Sequence, residues 1–215
     1  MEVIVGSGWN QATWNIPQAL LSRFSHYFLA ILSRTMKHGV PEIHKLPEFD
    51  PNMFQHFIRW IYFATLPPIM GVDEKGVYMG FRLWVIGEKL IADDFADAVM
   101  ERIYQLHVFA DDGPGQFRPV EVDWCWQNTH DSSLLRVFLL DTLSQHWIHL
   151  SYIQEDKAKW EKILVKNPRI SQQLIMAVAG LGGGQNKSPT YKSLATYLFG
   201  SQDDECGCTA CQSTS

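Results

Sequence analysis

The sequence predicts an α+β fold in which a small β-sheet is capped by a cluster of α-helices and followed by a C-terminal helical extension. Two short β-type runs surround a Gly-rich turn near the N-terminus, and apolar residues recur at helical spacing along most of the remaining chain. Hydrophobic residues make up 46% of the 215 residues, and eight are tryptophan. We therefore expect one compact domain with additions rather than several domains.

The first elements are predicted as a hairpin and a pair of helices. Residues 3–5 and 12–16 flank the turn-rich residues 6–11, which predicts a β-hairpin. Pro17 permits a first helical turn, and an apolar face then continues through residues 20–32, with Ser25 available as an intervening cap.

A third strand is predicted over residues 39–46. Pro41 lacks a backbone N–H, so it places this strand at an edge of the sheet or restricts it to a short run.

A central helix is predicted immediately after the third strand. Asp50 is a good N-cap, and Pro51 suits the first helical position, where its missing N–H costs nothing. The apolar positions at helical spacing, which we expect to pack in the core, are Phe54, Phe57, Ile58, Ile61 and Tyr62. Phe28 and Trp84 are predicted core aromatics for the same reason.

Further helices are predicted beyond an exposed loop at residues 71–76. Val77, Phe81, Trp84 and Val85 mark one helix, and Asp93 or Asp94 is expected to cap the next. Residues 131–133 form a capping signal for a later helix, and helical patterns cover residues 157–166 and 168–180.

Several of these segments resemble one family. Residues 46–66 read Leu-Pro-Glu-Phe-Asp-Pro and continue with aromatic residues, a pattern similar to the BTB/POZ domain in the version found in many fungal proteins. Residues 14–28 and 77–106 resemble two other segments of that domain, although Pro17 and Gln18 stand where the family usually has His-Lys. Residues 124–136, which end in Ser133-Leu134-Leu135-Arg136, resemble the segment that follows the domain in many fungal members.

The resemblance and the chain composition together suggest three parts. Residues 1–110 would form the BTB/POZ domain and residues 111–181 the helical extension, with a hinge at residues 111–115. Residues 182–215 are expected to form a flexible linker and a polar, Cys-containing tail.

The resemblance implies a non-catalytic protein-interaction module, a scaffold or adaptor that self-associates or recruits a protein partner. One branch of the family binds a cullin as a ubiquitin ligase adaptor, helped by a hydrophobic-x-acidic motif after the second helix. Met36-Lys37-His38 occupies that position here and ends in histidine, which weakens the case for a cullin. Many dimeric members exchange an N-terminal strand, and the resemblance implies that self-association of this chain would depend on whether such a strand precedes residues 3–5. The expected partner-binding residues are Arg34, Met36, Lys37, His38, Pro67, Pro68 and Asp73.

The composition argues against several other classes. A net charge of -5 provides no basic field for nucleic acid, so a role as transcription co-regulator, which some family members have, would act through partners. No apolar run approaches the roughly 20 residues that span a bilayer, and no signal peptide is apparent. Four cysteines do not form a disulfide framework, and we expect a cytoplasmic or nuclear protein.

Four patterns could carry chemistry, and each has a simpler interpretation. Cys206, Cys208 and Cys211 could bind a soft metal, which is the alternative function, but a structural zinc site needs a fourth ligand. Residues 182–188 lack the glycine that a phosphate-binding loop has before its lysine. His146 and His149 lack the spacing of the zinc-peptidase motif.

The fourth pattern is a pair of side chains that could serve as nucleophile and base. Cys125 with His130 has the residue types for these roles, but Cys125 lies between two tryptophans, an apolar setting that makes a thiol inert. We expect no catalytic residue, no cofactor and no small-molecule substrate.

Overall fold

A computed structural model describes residues 1–38, 43–69, 71–108, 117–147, 157–180 and 191–200. The fold is mixed α+β, as predicted. The strands are β1 (Glu2–Ser7), β2 (Asn10–Asn15) and β3 (His44–Leu46). The helices are α1 (Gln18–Phe24), α2 (His26–His38), α3 (Pro51–Phe63), α4 (Met79–Lys89), α5 (Asp93–Val108), α6 (Pro119–Asn128), α7 (Leu134–Trp147), α8 (Lys157–Lys166) and α9 (Pro168–Gly180). A 3-10 helix covers Leu194–Tyr197.

Strand β1 lies at the centre of the sheet, whose order is β2-β1-β3. It pairs antiparallel with β2, from Glu2 opposite Asn15 to Ser7 opposite Asn10. The predicted hairpin is confirmed, but its turn is tighter than expected because the pairing continues to Ser7 and Asn10. Gly6 permits this course, since its φ is +87° and a Cβ would lie 2.1 Å from the carbonyl oxygen of Asn10.

The third strand is shorter than predicted. Strand β3 pairs parallel with β1 over three residues, and it forms an edge of the described sheet. Pro41 lies outside the described residues. Leu46, the last residue of β3, is buried and leads directly to the start of α3.

Ser25 joins α1 to α2 and fixes both to the connection between α4 and α5. Its Oγ accepts a hydrogen bond from the backbone N–H of Phe28 (3.2 Å) and donates one to the carbonyl oxygen of Leu90 (2.5 Å). The backbone N–H of His26 also donates to the carbonyl oxygen of Ile91 (3.0 Å). The predicted cap is confirmed, and it satisfies a buried hydroxyl that would otherwise be costly.

Helix α3 begins where the sequence predicts. The Asp50 carboxylate accepts hydrogen bonds from the backbone N–H groups of Asn52 (2.9 Å) and Met53 (3.1 Å), and Pro51 occupies the first helical position. These bonds satisfy two of the N–H groups that a helix start leaves unpaired.

The apolar face of α3 forms the centre of the core. Phe54 and Phe57 are fully buried and Ile61 is almost so. The ring of Phe57 meets that of Phe95 from α5 in an edge-to-face arrangement, with centroids 5.3 Å apart. Burial of each such side chain stabilises the fold by roughly 1.5–3 kcal/mol. Phe28 and Trp84 are also fully buried, as predicted, whereas Ile58 is half-buried.

Helices α4 and α5 pack closely against each other at Gly87. A Cβ on this residue would lie 2.9 Å from the Cβ of Ala96 on α5. The predicted caps are wrong in detail, because α5 begins at Asp93 and both Asp93 and Asp94 lie in its first turn. Their charges still favour the helix through its dipole. Val77 precedes α4 and does not belong to it.

The C-terminal helices share one core with the N-terminal part of the chain. Val5, Phe95, Phe138, Ile170 and Tyr197 belong to the same cluster of buried hydrophobic side chains. Helices α8 and α9 have the bounds that the sequence predicts. The hinge predicted at residues 111–115 lies outside the described residues.

Residues 191–200 correct the prediction that residues 182–215 are a linker and tail. Tyr197 is only 2% exposed, and Phe199 stacks on Trp84 of α4 with ring centroids 5.9 Å apart. The prediction followed the polar composition of the whole region and gave no weight to these two aromatic side chains. Their apolar area is enough to hold this segment against the core.

Candidate interaction surface

Helix α3 ends in an exposed pair of aromatic side chains. Tyr62 is 49% exposed and Phe63 is 69% exposed, and their ring centroids lie 6.3 Å apart. The helix stops because Ala64 adopts the left-handed conformation, with φ 51°, and its N–H donates to the carbonyl oxygen of Trp60 (2.7 Å). Two large rings are thereby held at a fixed helix end, facing solvent.

The sequence wrongly assigned Tyr62 to the core. Its spacing from Ile58 continues the apolar face, but it lies in the last turn of α3, beyond Trp60 and Ile61, where the buried face ends. Phe63 was not predicted as a surface residue, because spacing alone does not show where a helix leaves the core. We name Tyr62, Phe63, Pro67 and Pro68 the α3-end surface. Pro68 is exposed and Pro67 half-buried.

Asp73, another predicted partner-binding residue, organises the loop that follows this surface. Its Oδ1 accepts hydrogen bonds from the backbone N–H groups of Lys75 and Val77, both at 2.8 Å, and its Oδ2 pairs with Arg82 of α4. The Arg82 guanidinium also lies over the ring of Trp124, 4.9 Å from its centroid. Because both oxygens of its carboxylate are engaged within the chain, Asp73 holds the turn at residues 73–77 in shape.

Tyr78 anchors the same loop from its other end. Its hydroxyl donates to the carbonyl oxygen of Ile69 (3.1 Å), and its backbone N–H donates to the carboxylate of Glu121 (3.1 Å). Burial, together with the Glu121 charge, raises the pKa of Tyr78 to about 12. The hydroxyl thus stays a hydrogen-bond donor to Ile69 even at pH values where an ordinary tyrosine ionises.

The remaining predicted residues are not gathered at this surface by any contact that the structure describes. Arg34 is exposed on α2, and Met36, Lys37 and His38 belong to the last turns of that helix, with side chains outside the description. Cys206, Cys208 and Cys211 also lie outside the described residues.

A second exposed aromatic residue lies at the tip of the hairpin. Trp9 is 98% exposed, between Gly8 and Asn10 in the turn that joins β1 to β2. From the sequence, Trp9 was predicted only to be part of the turn. A tryptophan in a two-residue turn has no room to pack inward, so its position in the turn could have identified it as an exposed aromatic residue.

Cys125 and His130 do not form a nucleophile and base. Cys125 is fully buried in α6, and burial raises the pKa of its thiol well above the ordinary value. The ring nitrogens of His130 lie near other groups, Nε2 at 3.1 Å from Glu88 and Nδ1 at 2.9 Å from the hydroxyl of Ser132. Within the described ranges, no group of three or more His, Cys, Asp or Glu side chains is placed to bind a metal ion.

The segment between α6 and α7 is held together by Arg136, which is 6% exposed. Its Nε donates to the hydroxyl of Thr129 (2.9 Å), and its Nη2 donates to the carbonyl oxygens of Trp126 (2.7 Å) and Thr129. Its Nη1 pairs with Asp131 at 2.6 Å. Asn128 is the last residue of α6, and its side-chain amide donates to the carbonyl oxygen of Trp124 in the same helix (2.8 Å). The residues that carry the sequence resemblance here therefore have a structural role.

Glu88 links this segment to α4. Its side chain is 9% exposed, and its Oε1 lies 3.1 Å from Nε2 of His130. Burial raises the pKa of Glu88, although His130, Arg136 and Lys89 act in the opposite direction.

The comparisons with known proteins assign no family. No family model matches the chain, and no curated protein matches it significantly.

In the part of the chain that the structure describes, no helix combines the length and apolarity needed to cross a bilayer.

Proposed function

We propose that this chain is a non-catalytic protein-interaction module of the BTB/POZ type, an adaptor or scaffold that self-associates or recruits a protein partner in the cytoplasm or nucleus. The observation that carries the proposal is the exposed aromatic pair at the α3-end surface. Aromatic side chains dominate the binding energy of many protein interfaces, and Tyr62 and Phe63 present two exposed rings side by side at the end of α3.

The order of the elements supports the BTB/POZ part of the proposal. A hairpin and two helices precede a short strand that pairs with β1, and the Asp50-Pro51 motif then begins α3 before the α4–α5 pair. This arrangement agrees with what the sequence resemblance implies, a small sheet capped by helices.

A cullin is the less favoured partner within this proposal. Helix α2 continues through Met36 and Lys37 to His38, so the position of the acidic residue in the cullin-binding motif carries an imidazole at a helix end. An acidic side chain and an imidazole do not present the same charge to a partner.

The proposal is tested on the full chain with a matched pair of variants. Phe63→Asp places a charge on the α3-end surface, and Val165→Asp places one on α8, where Val165 is 80% exposed. Size-exclusion chromatography with light scattering, at several concentrations, gives the mass of each protein, and affinity purification from the native cell gives the partners.

We expect the wild-type chain to form an oligomer or to retain a specific partner, and Phe63→Asp to lose that association while Val165→Asp keeps it. A wild-type monomer without an enriched partner contradicts the proposal. Equal behaviour of the two variants contradicts the assignment to the α3-end surface. Circular dichroism and urea unfolding confirm that both variants are folded.

A further inference from the structure

Residues 191–200 lie across helices α4, α5 and α7 as a peptide lies on its binding protein. We call the described residues that precede this segment the body. Two side chains of the body bind the main chain of the segment. The Asp97 carboxylate of α5 accepts hydrogen bonds from the backbone N–H groups of Phe199 (2.8 Å) and Gly200 (3.1 Å). The hydroxyl of Tyr104, also on α5, donates to the carbonyl oxygen of Lys192 (2.7 Å).

Two aromatic side chains of the segment fill separate positions on the body. The ring of Tyr197 meets the ring of Phe138 on α7 edge to face, with centroids 5.2 Å apart, and its hydroxyl donates to Asp141 (3.2 Å). Phe199 stacks on Trp84 of α4. Tyr197 is the last residue of the 3-10 helix and Phe199 follows it after one residue, so two aromatic side chains anchor the end of the segment at separate helices.

Polar pairs complete the contact at the start of the segment. Lys192 Nζ lies 2.8 Å from the Asp141 carboxylate, and the hydroxyl of Tyr191 is 2.7 Å from Nε2 of His146 on α7. A cavity of about 410 Å³ lies between the segment, at Tyr191 and Lys192, and α7, with Ala177 of α9 at its edge.

The segment depends on the body for its conformation. Its regular structure is the single 3-10 turn Leu194–Tyr197, beside which the backbone N–H of Thr196 donates to the carbonyl oxygen of Ser193 (3.1 Å) and that of Leu198 donates to the carbonyl oxygen of Ala195 (3.4 Å). A turn of this length is not stable alone in water.

We propose that the groove formed by α4, α5 and α7 is a peptide-binding site, and that residues 191–200 are its ligand, bound in cis and able to bind in trans. The partner that fits the groove is a second copy of this segment, whose recognised chemistry is a Tyr and a Phe two residues apart, followed by Gly. This inference does not depend on the proposed function, because the groove does not include the α3-end surface.

The affinity that this assignment requires can be bounded. Ten residues, 181–190, join α9 to the segment. A short linker of this kind gives an effective concentration of about 1 mM, so occupancy above nine-tenths in cis requires a trans Kd below about 100 µM.

The experiment uses the full chain with a protease site inserted between Gly183 and Gly184, in the sequence-predicted linker. After cleavage, a fluorescent synthetic peptide of residues 189–202 is titrated against the cut and the intact protein, and anisotropy reports binding. Two variant peptides accompany it, Tyr197→Ala and Ser193→Ala, the second because Ser193 is exposed.

We expect the peptide to exchange with the cleaved segment, to bind the cut protein with a Kd below about 100 µM, and to bind the intact protein at least about tenfold more weakly. The Tyr197→Ala peptide should lose at least about tenfold in affinity. The Ser193→Ala peptide should stay within about twofold of the wild-type peptide.

Three results would overturn the proposal. The first is loss of cooperative unfolding after cleavage, because the segment would then be part of the core rather than a ligand. The second is absence of exchange or a Kd above about 100 µM. The third is equal binding of the two variant peptides. Because the variants are made in the peptide, a folding defect of the protein cannot imitate a difference between the two variant peptides.

Discussion

Replacing Arg136 with methionine tests how much the junction of α6 and α7 depends on one buried guanidinium. The side chain is 6% exposed and donates to the carbonyl oxygens of Trp126 and Thr129, to the Thr129 hydroxyl and to Asp131. Methionine is apolar and has comparable length, so Arg136→Met removes these donors and limits the loss of packing.

The expected cost follows from which acceptors can recover water. The Asp131 side chain is 58% exposed and regains water readily, so loss of the Arg136–Asp131 ion pair contributes little to the cost. Trp126 and Thr129, which supply the other acceptors, are half-buried. A hydrogen bond from a charged donor contributes about 1.5–3 kcal/mol, and we expect Arg136→Met to lose about 3 kcal/mol in the free energy of unfolding. Arg136→Lys should lose less, about 1–3 kcal/mol, because an ammonium keeps the charge but lacks the planar fork.

Arg169 supplies the matched control, because it binds the same carboxylate from the solvent side. Its Nη1 lies 2.7 Å from Asp131 Oδ2, but its side chain is 76% exposed. We expect Arg169→Met to cost at most about 1 kcal/mol. Equilibrium unfolding in urea, followed by tryptophan fluorescence, measures all three variants, provided that their m-values agree. Losses for Arg136→Met and Arg169→Met that are equal within error would refute the reasoning.

Three further changes have defined outcomes. Gly87→Ala should cost about 1–3 kcal/mol in urea unfolding because its Cβ would press on α5 at 2.9 Å, whereas Gly180→Ala, with open space around it, should cost nothing measurable. Asp50→Ala should cost about 1 kcal/mol through loss of the α3 cap, and Asp50→Asn should recover most of it. The pKa of Glu88 is raised in the folded state, so ionisation of this carboxyl destabilises the fold as the pH rises from its ordinary 4.5 through the raised folded-state pKa. Over that range Glu88→Gln should gain stability relative to wild type, unlike exposed Glu74→Gln, and a relative loss would contradict the sign.

Elements defined by local chemistry could be predicted from the sequence. Asp50-Pro51 marks the start of α3 because a cap and a first-turn proline act within a few residues of themselves. Ser25 separates α1 from α2 for the same reason. The predicted apolar face of α3 places Phe54 and Phe57 correctly, since both lie where several neighbouring elements pack.

Features that depend on contacts distant in sequence could not be predicted. Phe199 is bound by Asp97, which lies 102 residues earlier in the chain. The sequence around Phe199 does not show this distant partner, so the segment was predicted to be a tail. The prediction for Tyr62 is wrong for a related reason. Its exposure depends on the left-handed turn at Ala64, and no residue type there signals a helix end.

Part of the family resemblance is carried by residues that the fold itself engages. Asn128, Thr129 and Arg136, which carry part of the resemblance, are occupied by bonds within the chain. Tyr62 and Phe63 of the α3-end surface lie within residues 46–66, which also carry the resemblance, whereas the exposed Trp9 lies outside the segments that do. Residues that build a scaffold are constrained by their internal contacts, whereas exposed residues are free to match a partner. Chains with this scaffold could therefore differ in what they bind, and the proposed association is best tested by changing Phe63 and Trp9 rather than Asn128, Thr129 and Arg136.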